Sequence, residues 1–226
     1  MSQSNSEILR AKIKLAEPRL QDVTARFWNH PQIEAVFKKH LLRLYFTITA
    51  SKPLLESALQ RSQELSDDCP VAAKLVPYLA DHIVEEEGHD EWVLDDLEVL
   101  GVSRTEVRAT LPPADAATLT GSQYYYIKHS HPVAVTAYQA VVEGNPPRKE
   151  FLDSIVARTA IPKGAFGSLY KHAVIDQEHG KALWTLLDSL PLEPWHSTLL
   201  GMNALLIVEQ IAGFMETVLA TADAEA

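Results

Sequence analysis

His172, Asp176 and His179 lie four and three residues apart in the segment Tyr170–Gly180. On an α-helix, residues three and four apart stack on one face, so this spacing places two imidazoles and a carboxylate in a single row. The row is flanked by the apolar Val174, Ile175, Ala182 and Leu183. Two neutral imidazole nitrogens and a carboxylate suit a borderline transition-metal ion such as Fe(II), Mn(II) or Zn(II). One such row also arises by chance on polar helix faces, but this chain holds a second. His82, Glu86 and His89 repeat the spacing within Asp81–Glu91. Glu86 and His89, three apart, can offer one carboxylate and one imidazole to the same ion. Most of the surrounding acids must face solvent, and Glu85 is the rival to Glu86 if the helix is rotated. A third element is Glu143, which closes the apolar run Val133–Val142. Surface exposure is the common state of a helix-end Glu, whereas a buried one is costly unless paired or metal-bound. Three helices would thus supply six ligands, Glu86, His89, Glu143, His172, Asp176 and His179. Helical bundles place carboxylate-bridged dimetal sites between facing helices in this way.

The elements that must carry these residues all read as helices. Helical patterns run from Ser6 to about His30, with Pro18 as an expected kink, and from Pro31 to about Leu65, with Pro53 as an expected bend or break. Ser66–Pro70 is a turn and cap. The next pattern runs from Pro70 to Leu100 and stops at Gly101; as one helix it would cross the whole domain. A polar connection with a short helix at Arg104–Ala109 follows. Leu119–Glu143 is helical with an interruption at His131-Pro132, and Arg148 to about Thr159 is another helix. Lys163-Gly164 opens the segment that holds the final triplet, and Glu193 to about Ala222 is the last helix. Period-two alternation is absent. The expected fold class is all-α, a bundle of about seven to nine helices in a single domain over residues 1–226.

Composition narrows the function classes. The chain has 226 residues, is 46% hydrophobic and carries a formal charge of −10. That charge repels nucleic acid and anionic membrane surfaces, so neither is an expected partner. The single cysteine, Cys69, excludes an intrachain disulfide framework and fits a reducing, cytoplasmic compartment. The first residues carry no basic stretch leading into an apolar run, so no secretory signal is expected. The apolar region Leu199–Ala222 is interrupted by Asn203, Glu209, Gln210 and Glu216, and reads as a core or interface helix rather than a membrane span. A homodimer is left open.

Glu86-x-x-His89, Val142-Glu143-Gly144 and His172-x3-Asp176-x2-His179 together resemble the heme-oxygenase-like dimetal oxidases and oxygenases. The pattern is similar to that of the alkene-forming fatty-acid decarboxylase and of the self-sacrificing aminobenzoate-forming protein. His89-Asp90-x-Trp92 and Leu100-Gly101 belong to the same resemblance, which spans about residues 30 to 222. It implies a heme-oxygenase-like helical bundle in which Glu86, His89, Glu143, His172, Asp176 and His179 bind two Fe(II) ions, with manganese as the alternative, and dioxygen is the cosubstrate. It implies an oxidoreductase acting on a small organic acid, amine or amino acid. His82 falls outside the pattern and is expected one turn before Glu86, behind the ligands and hydrogen-bonded to one of them.

Other members of the same fold make different demands. A heme protein needs an axial His near the N-terminal helices, such as His30 or His40. A thiaminase-type hydrolase needs a cysteine nucleophile, and Cys69 falls in a turn between helices. Neither uses the two-His, one-Asp row, and a cofactor-free enzyme or a non-catalytic binding module leaves it unexplained. Tyr124, Tyr125 and Tyr126 read as packing.

Overall fold

A computed structural model describes residues 3–144 and 146–224. Among the described residues every regular element is helical. Helix α1 (Asn5–Trp28) starts at a capping box in which Ser4 and Glu7 satisfy each other's backbone N–H groups. Helix α2 (Ile33–Leu65) has 33 residues, about 50 Å at about 1.5 Å per residue, and is the element that crosses the molecule. Pro18 and Pro53 lie inside these helices without ending either.

The segment expected as one helix from Pro70 to Leu100 is two, α3 (Pro70–Glu85) and α4 (His89–Val99). The break is at Gly88, which has φ +83°. Glycine reaches this left-handed conformation without the Cβ penalty that other residues carry. Asp90 and Glu91 then occupy the first turn of α4, where negative charge suits the positive end of the new helix. Helix α5 (Arg104–Ala109) has its own capping box from Ser103 and Glu106. Then come α6 (Ala114–His129), α7 (Ala134–Val142) and α8 (Lys149–Arg158). A 3₁₀ turn (Lys163–Phe166) leads into α9 (Gly167–Ser189), and α10 (Pro194–Asp223) ends the described chain.

The long helices α2 and α10 form the frame. Helix α2 packs against α3, α4 and α6, and α10 packs against α1, α6 and α7. By length and mean hydropathy α10 would suffice to cross a bilayer. Here Leu200, Ala204, Ile207, Val208 and Val218 fill the interior. The apolar side chains form two clusters. One gathers Leu75, Leu79, Tyr138, Leu183 and Ile207, and the other gathers Phe37, Leu41, Val93, Phe166 and Val218.

Two buried polar contacts fix the helices that matter for chemistry. Asp96 on α4 is buried and accepts from the backbone N–H and the hydroxyl of Ser168. This satisfies orphan donors at the start of α9 and locks α4 to it. Gly167 lies so close that a Cβ there would come within 2.8 Å of the Asp96 carboxylate. Asn203 on α10, the polar interruption of an apolar run, pairs with Gln123 of α6 (3.0 and 2.8 Å) and donates to the Ala134 carbonyl at the start of α7 (2.8 Å).

Nothing lies within 4 Å of a Cβ added at Gly88, so substitution there strains only the backbone. Gly88→Ala is expected to cost about 1–2 kcal/mol, read from urea unfolding with an unchanged slope. An Ala variant as stable as the parent would show that the left-handed turn is not required.

Candidate metal centre

All six candidate ligands and His82 come together where α3, α4, α7 and α9 meet. Glu86 and His89 flank the Gly88 break, and their side chains stay close, with His89 Nδ1 3.4 Å from Glu86 Oε1. Glu143 directly follows α7, with its backbone N–H on the Gln139 carbonyl. From α9, Asp176 Oδ1 lies 3.7 Å from His179 Nδ1, and His179 Nδ1 lies 3.9 Å from Glu143 Oε2. The His172 ring meets the His89 ring edge-on at 5.0 Å. His172 Nδ1 donates to the Ser168 carbonyl at 2.8 Å, which leaves Nε2 as the nitrogen with a free lone pair. Trp92 stacks on His89 at 4.1 Å.

His82 reaches two of the candidate ligands, as a residue behind them would: Nε2 lies 3.3 Å from Glu143 Oε2 and 3.7 Å from Glu86 Oε1. The His82 and His179 rings are 4.8 Å apart. His82, Glu86 and Glu143 each turn one ligand atom to a common point, all within 4.8 Å of one another. Glu85, the rival to Glu86, lies on the outer side of His82 and His179.

Burial tests whether this donor set suits a metal. His82 Nε2, His89 Nδ1, Glu143 Oε2, Asp176 Oδ1 and His179 Nδ1 are all buried without a hydrogen-bond partner. Buried polar atoms are nearly always satisfied, and five that converge from four helices are a donor set of the kind a transition-metal ion takes. The same groups act strongly on one another's protonation. Burial drives Asp176 up to about 8, helped by the charges of Glu143 and Glu86 and opposed by His82. Burial opposes charge on His82, yet Glu143, Glu86 and Glu85 outweigh it and raise the imidazole to about 9. Glu86 is held below its usual value: burial acts against this, but the close approach and charge of His89, with His82 and His172, prevail. In His172 burial wins, and its pKa is lowered.

Four of the candidate ligands, Glu86, Glu143, His172 and Asp176, form one wall of a cavity of about 170 Å³ and face Leu44, Ile48, Tyr138, Val142 and Leu169. Asp176 also borders an open groove of about 480 Å³ lined by Arg10, Lys181 and Trp184. The α2 side of the cavity and Tyr138 carry no motif that would single them out, and only the packing of α2 brings them to the site. Tyr78, stacked on His82 at 5.6 Å, is likewise visible only in three dimensions.

Residues considered for other chemistry lie elsewhere. His30 Nε2 faces Asp223 at 3.0 Å, and the His40 ring packs edge-on against Phe27 and Phe214. Cys69 Sγ lies 3.4 Å from His131 Nε2, at the start of α3. Tyr125 is 63% exposed, and Tyr124 lies under Lys128.

No protein family and no curated protein matches this chain. Solved structures do. A domain of unknown function with a heme oxygenase-like fold from Shewanella denitrificans aligns with a TM-score of 0.79 at 15% identity, over 95% of this chain and 91% of that one. The chain has a heme-oxygenase-like fold. A TenA homolog from Pseudomonas syringae pv. tomato aligns with a TM-score of 0.74 at 12% identity, over 94% of this chain and 91% of that one. At these identities the likeness concerns the fold alone. Within that heme-oxygenase-like bundle, the donor set is read from this chain's own residues.

The raised Asp176 gives a pH signature for the metal-free protein. Its folded pKa of about 8 stands above the ordinary 3.8, so its contribution is fully present below pH 4 and is lost as pH rises through 8. Asp176→Asn cannot ionise. Its stability relative to the parent should therefore grow between pH 5 and 8.5, measured by denaturant unfolding with chelator present. Parallel pH profiles would show that Asp176 does not hold its proton in the folded state.

Proposed function

We propose that the chain is a dioxygen-dependent, non-heme dimetal oxidoreductase that acts on a small organic acid, amine or amino acid. The observation that carries this reading is the convergence of five buried donor atoms without hydrogen-bond partners beside an apolar cavity that Glu143 and Asp176 among them line. The residues proposed to hold two Fe(II) ions, or manganese in their place, are Glu86, His89, Glu143, His172, Asp176 and His179. Two such ions would supply the electrons that reduce dioxygen.

The chain's own groups do the rest. Three carboxylates, Glu86, Glu143 and Asp176, neutralise cationic charge that the apolar surroundings would otherwise reject. Glu143 approaches both His82 and His179, and Glu86 lies between His82 and His89. Two cations held close repel one another, and an anion shared between them offsets the repulsion. The Ser168 carbonyl holds the His172 ring in one tautomer. Leu44, Ile48, Val142 and Leu169 exclude water and accept the apolar part of a substrate whose polar end faces the carboxylates. A reducing, cytoplasmic setting suits both ferrous iron and the free thiol of Cys69.

Anaerobic reconstitution with ferrous iron should load two equivalents per chain; one equivalent would sink the dimetal reading. Glu143→Gln keeps the side chain's shape but loses its charge and one donor oxygen. It should fold, by circular dichroism, while it binds at most one iron and loses dioxygen uptake. Two bound irons in that variant would remove Glu143 from the shared position.

A further inference from the structure

We infer that His82 is a metal donor in its own right, and that Glu85 is a positioning residue that orients His82 and His179 together. The inference rests on the dimetal reading and extends it to two residues outside the proposed ligand set.

Glu85 ends α3 and is half exposed, with Oε2 turned back toward the protein. That single oxygen lies 3.2 Å from His82 Nδ1 and 3.5 Å from His179 Nε2. Each ring thus turns one nitrogen to the same outer carboxylate oxygen. The other nitrogens, His82 Nε2 and His179 Nδ1, point inward, and both are buried without a partner. They converge on the same Glu143 oxygen, at 3.3 and 3.9 Å. An imidazole that gives its N–H to a carboxylate keeps the proton there and presents a lone pair at its opposite nitrogen, the arrangement that commonly supports metal-bound histidines.

One carboxylate would thus set two rings from two helices at once. His172 is set in the same way, with the Ser168 carbonyl as acceptor. His82 is 2% exposed, and no backbone carbonyl or hydroxyl meets its inner nitrogen. A mere support for Glu86 would need only one contact, whereas His82 Nε2 faces two carboxylates from α7 and the end of α3. The competing arrangement has Glu85, His82 and His179 hold a cation on the outer side, through the opposite nitrogens.

Long-range proton–nitrogen spectra of ¹⁵N-histidine-labelled protein loaded with Zn(II), a diamagnetic ion, separate these arrangements. The expected spectrum shows His82 bound through Nε2 and His179 through Nδ1, each protonated at the nitrogen that faces Glu85. Glu85→Ala, a truncation at an exposed position, should disperse those two patterns and leave His172 unchanged. It should also weaken zinc binding by about 10–100-fold, the usual consequence of losing a carboxylate behind a ligand. Glu85→Gln keeps one acceptor oxygen and should lose less. Zinc bound with both His82 nitrogens metal-free would overturn the inference and leave the dimetal reading intact. Binding through the outer nitrogens, or spectra unmoved by Glu85→Ala, would do the same. A protein that takes up no zinc would overturn both.

Discussion

The structure depends on keeping three carboxylates and four imidazoles in a place where water cannot reach them freely. Glu86, Glu143 and Asp176, with His82, His89, His172 and His179, lie at the seam between two apolar clusters. Isolated charges there would be expelled or neutralised. Mutual approach reduces the penalty, since each acid has an imidazole nitrogen within 3.3 to 3.7 Å. Compensation is incomplete, as the raised Asp176 shows. The helices must therefore be held together by contacts that do not pass through the site. The Asp96–Ser168 and Asn203–Gln123 contacts serve that purpose, one fixing α4 to α9 and the other α10 to α6 and α7.

Much of this was legible in the sequence. The spacing of His172, Asp176 and His179 needs only a straight helix to become a face, and α9 is one. Glu143 was legible because a charge that closes an apolar run has to be accounted for. Helical periodicity and the absence of alternation led to the all-α bundle that the solved structures share.

Other features were hidden for identifiable reasons. The helical pattern of Pro70–Leu100 runs straight through Gly88, because hydrophobic periodicity records which residues face inward and not the sign of one backbone angle. The break leaves Glu86 and His89 adjacent, because a turn also brings residues three apart together. It is the orientation of His82 that spacing could not decide: residues i and i+4 share a face whether the first stands beside the second or behind it. The cavity wall from α2 lies more than a hundred residues from α9 in the chain, and no local pattern links Leu44 or Ile48 to His172. Pro18 and Pro53 were expected to disturb their helices, yet both helices continue, since the packing of α1 and α2 along their length outweighs one missing hydrogen bond.

Asp176 borders two concavities with different linings, the apolar cavity toward α2 and the open groove beside Arg10, Lys181 and Trp184. An apolar molecule would partition toward the α2 side, where Leu44, Ile48, Val142 and Leu169 line the wall, while an anion would meet Arg10 and Lys181 first. The carboxylate between them would then stand at a boundary between two solvents, and a substitution in the groove would change one side without the other.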